Sequence, residues 1–293
     1  MDVRALVLGL TFVAMWSSAF TSARIVVTHA PPFLALSARF LLSGCIALAI
    51  GWACGQRIRL TRAQWLAVVI FGLCQNALYL GLNFEAMQTV HASVAAVIAS
   101  LLPLIVAGLG RVFLGDRLSP LGLAGLLAGF AGVLVIMVSR LGHGADPVGL
   151  ALCLVGVLAL SVATLMLRNT TSGGNLWMIV GLQMLVGAIA LFPVAWFGEV
   201  WRVDWAPALF WAMAYTVLAP GIAATMIWFI LVRRVGATRA ASFHFLNPFF
   251  GVTTAALILG EPVGGRDLVG VAIIMAGILA VQLSRAPATR AAR

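Results

Sequence analysis

No lysine occurs anywhere in the 293 residues, and only 9% of them carry a charge. The missing lysine excludes a Walker-type phosphate loop, a retinal or pyridoxal Schiff base and any lysine nucleophile. So little charge excludes a soluble fold, for which about 25% is ordinary. Cysteine is sparse as well. Cys45, Cys54, Cys74 and Cys153 sit singly within or at the ends of apolar runs, so neither a disulfide framework nor a metal site is expected. There is also no His-Glu-x-x-His, no Ser/Lys pair and no pair of aspartates, which leaves an intramembrane enzyme without a catalytic set. The expectation is a chain that is not an enzyme and uses neither cofactor nor ATP.

What is present is apolar: 63% of residues are hydrophobic and the mean hydropathy is +1.11. Runs long enough to cross a bilayer recur with little between them, and in lipid such runs must be helices. Ten spans are predicted, at 5–27, 33–54, 63–87, 91–114, 119–139, 147–168, 175–198, 206–232, 238–259 and 266–284. The first ends near Thr21-Ser22-Ala23, which resembles a cleavage site, but its apolar run is too long for a signal peptide.

The net charge of +10 is carried by arginine alone, in the gaps between runs, which favours a membrane over nucleic acid as the partner. With a cytoplasmic N-terminus, thirteen arginines fall on the cytoplasmic side and four (Arg24, Arg140, Arg202, Arg266) on the other. That bias predicts an inner-membrane protein of bacterial type with both termini in the cytoplasm. Trp65, Trp201 and Trp205 fit the interfacial aromatic belt, and residues 285–293 form an Ala/Arg-rich cytoplasmic tail.

The chain also repeats itself. Shifting Phe84–Leu134 by 145 positions onto Phe229–Leu279 gives 14 identities in 51 without a gap. A composition this biased would give roughly 4 or 5 by chance, so a duplication is the better account. Pro103 meets Pro248, Ala95-Ala96 meets Ala240-Ala241, Gly132 meets Gly277, and Asp116 meets Glu261. The predicted units are residues 1–141 and 142–284. Five helices per unit is an odd number, so the second copy must cross the membrane inverted. The fold class is therefore all-α integral membrane, ten helices in two inverted five-helix repeats, the architecture of alternating-access carriers.

Polar side chains within spans are costly and so mark candidate sites. On an α-helical wheel Gln75, Asn76, Tyr79 and Asn83 fall within a roughly 100° arc. That stripe lines a wet cavity, or else glues helices together. Arg39 and Glu85 lie at similar depth and read as a structural ion pair, with a proton-coupling role for Glu85 as the alternative. His244 and Asn247 precede Pro248, which deprives a carbonyl near His244 of its usual donor and suggests a substrate-lining position, against a packing role. Trp16 and Ser17, with Ser18 and Thr21, and in the eighth span Tyr215 and Trp228, place aromatics beside hydroxyls. That pairing suits a ligand with an apolar body and a polar handle, although ordinary packing explains each residue singly. Gly122-x-x-Gly125 and Gly125-x-x-x-Gly129 are helix-contact surfaces.

Several of these segments resemble the drug/metabolite transporter superfamily, and more closely its EamA-type exporters. They are Trp16-Ser17-Ser18-Ala19-Phe20, Ala38-Arg39-Phe40, the run from Ala95-Ala96 to Pro103 with Leu114-Gly115-Asp116-Arg117-Leu118, and Ala240-Ala241 to Pro248 with Leu259-Gly260-Glu261-Pro262. In overall look the chain is similar to the YddG branch, which exports aromatic amino acids. Asp116-Arg117 and Glu261-Pro262 depart from the family's Glu-Arg, so capping by Ser119-Pro120 is the plainer role for that turn. The resemblance implies export of small molecules, foremost aromatic or other neutral amino acids and related metabolites. Facilitated export down the substrate gradient is expected, with proton exchange, a scaffold or a channel as the alternatives. Trp16, Ser17, Gln75, Asn76, Tyr79, Asn83, Tyr215, Trp228, His244 and Asn247 are the expected substrate-binding residues. Pro103, Pro248, Arg39, Glu85, Asp116 and Glu261 are the expected structural or gating ones.

Overall fold

Lipid offers a backbone no hydrogen-bond partners, and helix meets that demand nearly throughout the computed structural model. It describes residues 3–90, 92–116, 118–138, 146–167, 175–259 and 265–284. Helix α1 is Val3–His29 and α2 is Pro32–Ala53; α3, Arg62–Phe71, runs on through a π-helical stretch, Gly72–Leu80, into α4, Gly81–Ala86. Then come α5 (Ala92–Ala99), α6 (Leu102–Leu114), α7 (Pro120–Val138), α8 (Pro147–Met166) and α9 (Leu176–Gly198). α10, Pro207–Thr216, passes through a second π-helical stretch, Val217–Ala224, into α11, Thr225–Val235. α12, Ala237–Ala241, leads by a 3₁₀ turn, Ser242–Leu246, to α13, Asn247–Leu259, and α14 is Gly265–Leu283. Six segments among the described residues are long and apolar enough to cross a membrane: Val3–His29, Pro32–Ala53, Arg62–Ala86, Pro147–Met166, Leu176–Gly198 and Pro207–Val235.

The helix ends are written in the sequence. Thr61 and Gln64 close a capping box at α3, and Asp146 accepts from the N–H groups of Val148 and Gly149 at α8, with Pro147 in the first turn. Thr89 donates a further bond to Asp146, at 2.9 Å; that hydroxyl first, then the two backbone N–H groups, holds the Asp146 carboxyl below its usual value. Ser119 takes the Gly122 N–H at 3.1 Å and so caps α7, while the Asp116 N–H is bonded to the Gly110 carbonyl. Gly115, at φ +66°, ends α6 in the left-handed conformation that a side chain would oppose.

Two predicted spans need correction. Neither 91–114 nor 238–259 is one helix with a proline inside. The first is α5 and α6, with Pro103 in the first turn of α6; the second is α12, the 3₁₀ turn and α13, with Pro248 in the first turn of α13. Proline lacks an N–H to continue a helix but suits a helix start, so each proline restarts the chain after a break. The carbonyl at His244 is not left bare either: the Asn247 N–H takes it in 3₁₀ geometry.

The interruptions recur at the offset seen in the sequence. α6 starts at Leu102 and α13 at Asn247, and the π-helical stretches start at Gly72 and Val217, each pair 145 residues apart. The packing is reciprocal as well. α1 packs against α10, α11 and α13, while α8 packs against α4, α5, α6 and the first π-helical stretch.

The two largest helix contacts, α7 with α14 and α2 with α9, are antiparallel and built on glycine. A Cβ added to Gly125 would stand 2.7 Å from the Gly277 carbonyl oxygen, and one on Gly132 would stand 2.7 Å from that of Gly270. Between α2 and α9 a Cβ on either Gly44 or Gly181 would stand 3.0 Å from the carbonyl oxygen of the other. Without a hydrophobic drive between helices in lipid, such close backbone approach supplies the dispersion energy of association. Gly125→Leu should therefore destabilise the fold by about 1–3 kcal/mol, the usual cost of overpacking. Gly108→Leu, where a Cβ meets nothing within 4 Å, should cost nothing measurable. Unfolding of both variants in mixed detergent micelles checks the pair.

Candidate functional site

Where α1 meets the second half of the chain, the interior is aromatic with a polar thread through it. Phe12 and Trp16 lie one turn apart on α1 with ring centroids 5.4 Å apart; Trp228 of α11 stacks on Phe12 at 4.8 Å. His244, in the 3₁₀ turn, sets its ring edge-on to Phe12, Trp16 and Trp228 at 5.3, 6.1 and 5.2 Å. Tyr79, in the first π-helical stretch, lies nearly parallel to Trp16 at 6.2 Å. These spacings are those of favourable aromatic pairs. The thread runs from the Ser17 hydroxyl, which donates to Asn247 Oδ1 at 3.0 Å, through Asn247 Nδ2, which donates to His244 Nδ1, also at 3.0 Å. His244 in that tautomer carries its proton on Nε2. All three residues are buried.

Beside this cluster lies a cavity of about 20 Å³, lined by Trp16, Arg39, Tyr79, Asn83, Phe84 and Pro220 among others. That is room for one water molecule. Among the described residues five buried side-chain atoms have no partner: Arg39 Nε, Tyr79 Oη and Trp228 Nε1 at the cavity and cluster, and Gln75 Oε1 and Gln183 Nε2. Unpaired buried polar atoms are uncommon in natural cores and need an account.

The structure brings together Trp16, Ser17, Tyr79, Trp228, His244 and Asn247, with Asn83 and Arg39 at the cavity wall. The stripe on the third span divides. Asn76 turns to α9, where its amide donates to both the Gln183 carbonyl and Gln183 Oε1, at 2.9 and 2.5 Å. Asn83 bonds to the Tyr79 carbonyl of its own helix at 2.7 Å. A π-helical stretch has a wider turn than an α-helix, so a wheel drawn at 100° per residue misplaces these side chains. Tyr215 stands apart from the aromatic cluster. It is 39% exposed, and its hydroxyl lies 2.5 Å from that of Ser18.

The Arg39–Glu85 ion pair is not formed. Arg39 is 3% exposed, its guanidinium carbon lies 5.4 Å from the Phe40 ring centroid, and no carboxylate pairs with it among the described residues. Glu85 instead faces a separate vestibule of about 920 Å³ with His29, Glu199, Arg202 and Asp204. Equal depth put the two in one plane of the membrane, but their side chains open into different spaces. Asp116 lies at the end of α6, and Glu261 falls outside the described residues.

Three residues were absent from the sequence reading. Gln183 was legible by the rule that marks polar residues in spans; Phe12 stands one turn before Trp16, where a stacked neighbour would be sought. A third, Glu199, closes α9 and caps the neighbouring helix α2. Its two carboxylate oxygens accept the N–H groups of Phe33 and Leu34, both at 2.8 Å. Burial raises the Glu199 carboxyl, against the pull of those two bonds, and the nearby charge of Glu85 adds to the rise.

Both halves of the chain match the EamA-like transporter family, over residues 3–138 and again over 147–283. The chain is 23% identical over 92% of its length to the "Uncharacterized transporter YvbV" of Bacillus subtilis, covering 88% of that protein. It is 27% identical over 90% of its length to the "Uncharacterized inner membrane transporter YedA" of Escherichia coli K12, covering 84%. To the "Aromatic amino acid exporter YddG" of Ancylobacter novellus it is 30% identical over 138 residues, 47% of either chain. A crystal structure 22% identical superposes with a TM-score of 0.77 over 97% of this chain and 98% of the other, which establishes the shared fold.

A double-mutant cycle on Asn76→Ala and Gln183→Ala should give a coupling of about 0.6–1.7 kcal/mol, the range for hydrogen bonds between membrane helices. Glu199→Ala should cost about 1 kcal/mol through loss of the α2 cap. Both are checked by unfolding in detergent.

Proposed function

Because this chain belongs to the EamA-like transporter family, we propose that it exports small molecules, foremost neutral amino acids with aromatic or other apolar side chains. Two inverted five-helix halves would expose one central site to either side of the membrane in turn. The observation that carries the proposal is the buried aromatic cluster of Trp16, Tyr79, Trp228 and His244, whose Tyr79 Oη and Trp228 Nε1 donors have no partner. Aromatic walls with a few unspent polar groups are the lining of small-molecule sites. The site draws on α1 from one half and α11 with the 3₁₀ turn from the other, so relative motion of the halves would open or close it.

The repeat supports the inverted arrangement: helix breaks 145 residues apart, and antiparallel contact between the equivalent helices α7 and α14. The partial likeness to an aromatic amino-acid exporter supports the substrate class. A bacterial inner membrane with cytoplasmic termini follows from the arginine bias and agrees with the name of the Escherichia coli relative. Without an ATP motif in the sequence, the driving force would be the substrate's own gradient. A second reading, proton exchange, draws on the vestibule. There Glu199, with its carboxyl raised, could take up a proton on entry, beside the carboxylate of Glu85.

Proteoliposomes loaded with radiolabelled phenylalanine, leucine or tryptophan test the proposal; absence of efflux for every amino acid offered would overturn it. Trp228→Ala should raise the KM by roughly tenfold, the worth of ~1.4 kcal/mol of contact. Under gradient-driven export, Glu85→Gln should leave flux unchanged across roughly pH 6–8. Flux that follows an imposed proton gradient in the wild type, and no longer does so in Glu85→Gln, would establish the second reading.

A further inference from the structure

A membrane-embedded arginine is ordinarily paired with a carboxylate or led out to the lipid headgroups. Arg39 does neither. It lies seven residues into α2, is 3% exposed, and leaves Nε without a hydrogen-bond partner. Of the chain's eight acidic residues, the nearest expected partner, Glu85, opens into the other vestibule, and no carboxylate reaches Arg39 among the described residues. The Phe40 ring faces the guanidinium but offers its N–H groups no acceptor with charge. A buried cation of this kind is an incomplete ion pair.

Arg39 lines the small cavity with Trp16, Tyr79, Asn83 and Pro220, and the Tyr79 hydroxyl is likewise without a partner. Trp16 joins this cavity to the aromatic cluster, since its ring lies parallel to that of Tyr79 and edge-on to that of His244.

We propose that Arg39 is the receptor for a substrate carboxylate, and that the transported compounds are carboxylic acids whose apolar or aromatic body lies against Trp16 and Tyr79. The proposal rests on the export reading for its substrate, and adds to it the group that the site selects. A guanidinium presents a planar fork of donors that matches a carboxylate two bonds at a time, and it holds its charge at every physiological pH. The low dielectric within the bundle strengthens that attraction, and a neutral amide at the same place would leave the buried guanidinium charge uncompensated. At about 20 Å³ the cavity admits only a water, so the walls must part to admit a ligand and close around it afterwards. The closed form seen here is one stage of such a cycle.

The test uses matched probes on the full chain in detergent: 3-phenylpropionate against 3-phenylpropionamide, and L-phenylalanine against L-phenylalaninamide, by isothermal titration. Wild type should bind each acid at least tenfold more tightly than its amide. Arg39→Gln should abolish that preference while keeping whatever affinity the amide has, and Arg39→Lys should keep a reduced part of it. Because the acid–amide comparison is made on the wild type, it stands even where Arg39→Gln fails to fold. Equal binding of acid and amide by wild type, no binding of either acid in the millimolar range, or an acid preference that survives Arg39→Gln would each overturn the proposal. Efflux of the same probes from proteoliposomes separates the two claims. Acids bound through Arg39 but never transported would remove the export reading and leave the receptor. Acids and amides exported alike would leave the export reading and remove the receptor.

Discussion

Satisfying every backbone polar group without water is the constraint on which this structure depends. A continuous α-helix meets it automatically, so each departure from one has to be provided for locally. Two of the departures here show how. Where Pro220 breaks the regular bonding of the eighth span, Ser43 reaches from α2 to the Val217 carbonyl, and Thr225 takes that of Pro220, both at 3.2 Å. Where Pro248 would strip the His244 carbonyl, the chain tightens to 3₁₀ geometry and the Asn247 N–H takes it. The polar residues that look extravagant in so apolar a sequence are in part the partners of these broken helices.

That division explains what could be read in advance and what could not. The doubling of Phe84–Leu134 was visible as identities, and the same offset of 145 reappears in the helix starts at Leu102 and Asn247 and in the π-helical stretches at Gly72 and Val217. Glycine spacing on the fifth span foretold the contact that Gly125 makes with Gly277. Trp16, Ser17, Tyr79, Trp228, His244 and Asn247 were named from polarity and ring chemistry, and the structure collects them in one place.

The failures have a common cause: depth along a helix is legible, but direction around it is not. Arg39 and Glu85 sit at similar depth yet face different spaces. Asn76 belongs to the same polar stripe as Tyr79 on an α-helical wheel, but the wider π-helical turn sends it to Gln183. No residue type announces a π-helical stretch. Gln75 stands in the first where Pro220 stands in the second, and only the latter is a recognised helix breaker. Glu199 was missed because it lies in a loop, and its work is done on a helix that precedes it by more than a hundred residues.

The glycine contacts between α7 and α14 carry one more consequence. Gly125 and Gly270 are counterparts across the repeat, as are Gly132 and Gly277, and the observed pairs are the crossed ones, 125 with 277 and 132 with 270. Exchanging the two halves therefore maps this seam onto itself. If the halves trade shapes as the site turns from one face to the other, the seam has the same energy before and after and cannot bias the balance between them. Bias must come from positions that have no twin: His244 opposite Ala99, Asn247 opposite Leu102, Pro220 opposite Gln75. On that condition the fold separates a neutral axle from a weighted rim, and changes at the untwinned positions would shift the balance without disturbing what holds the two halves together.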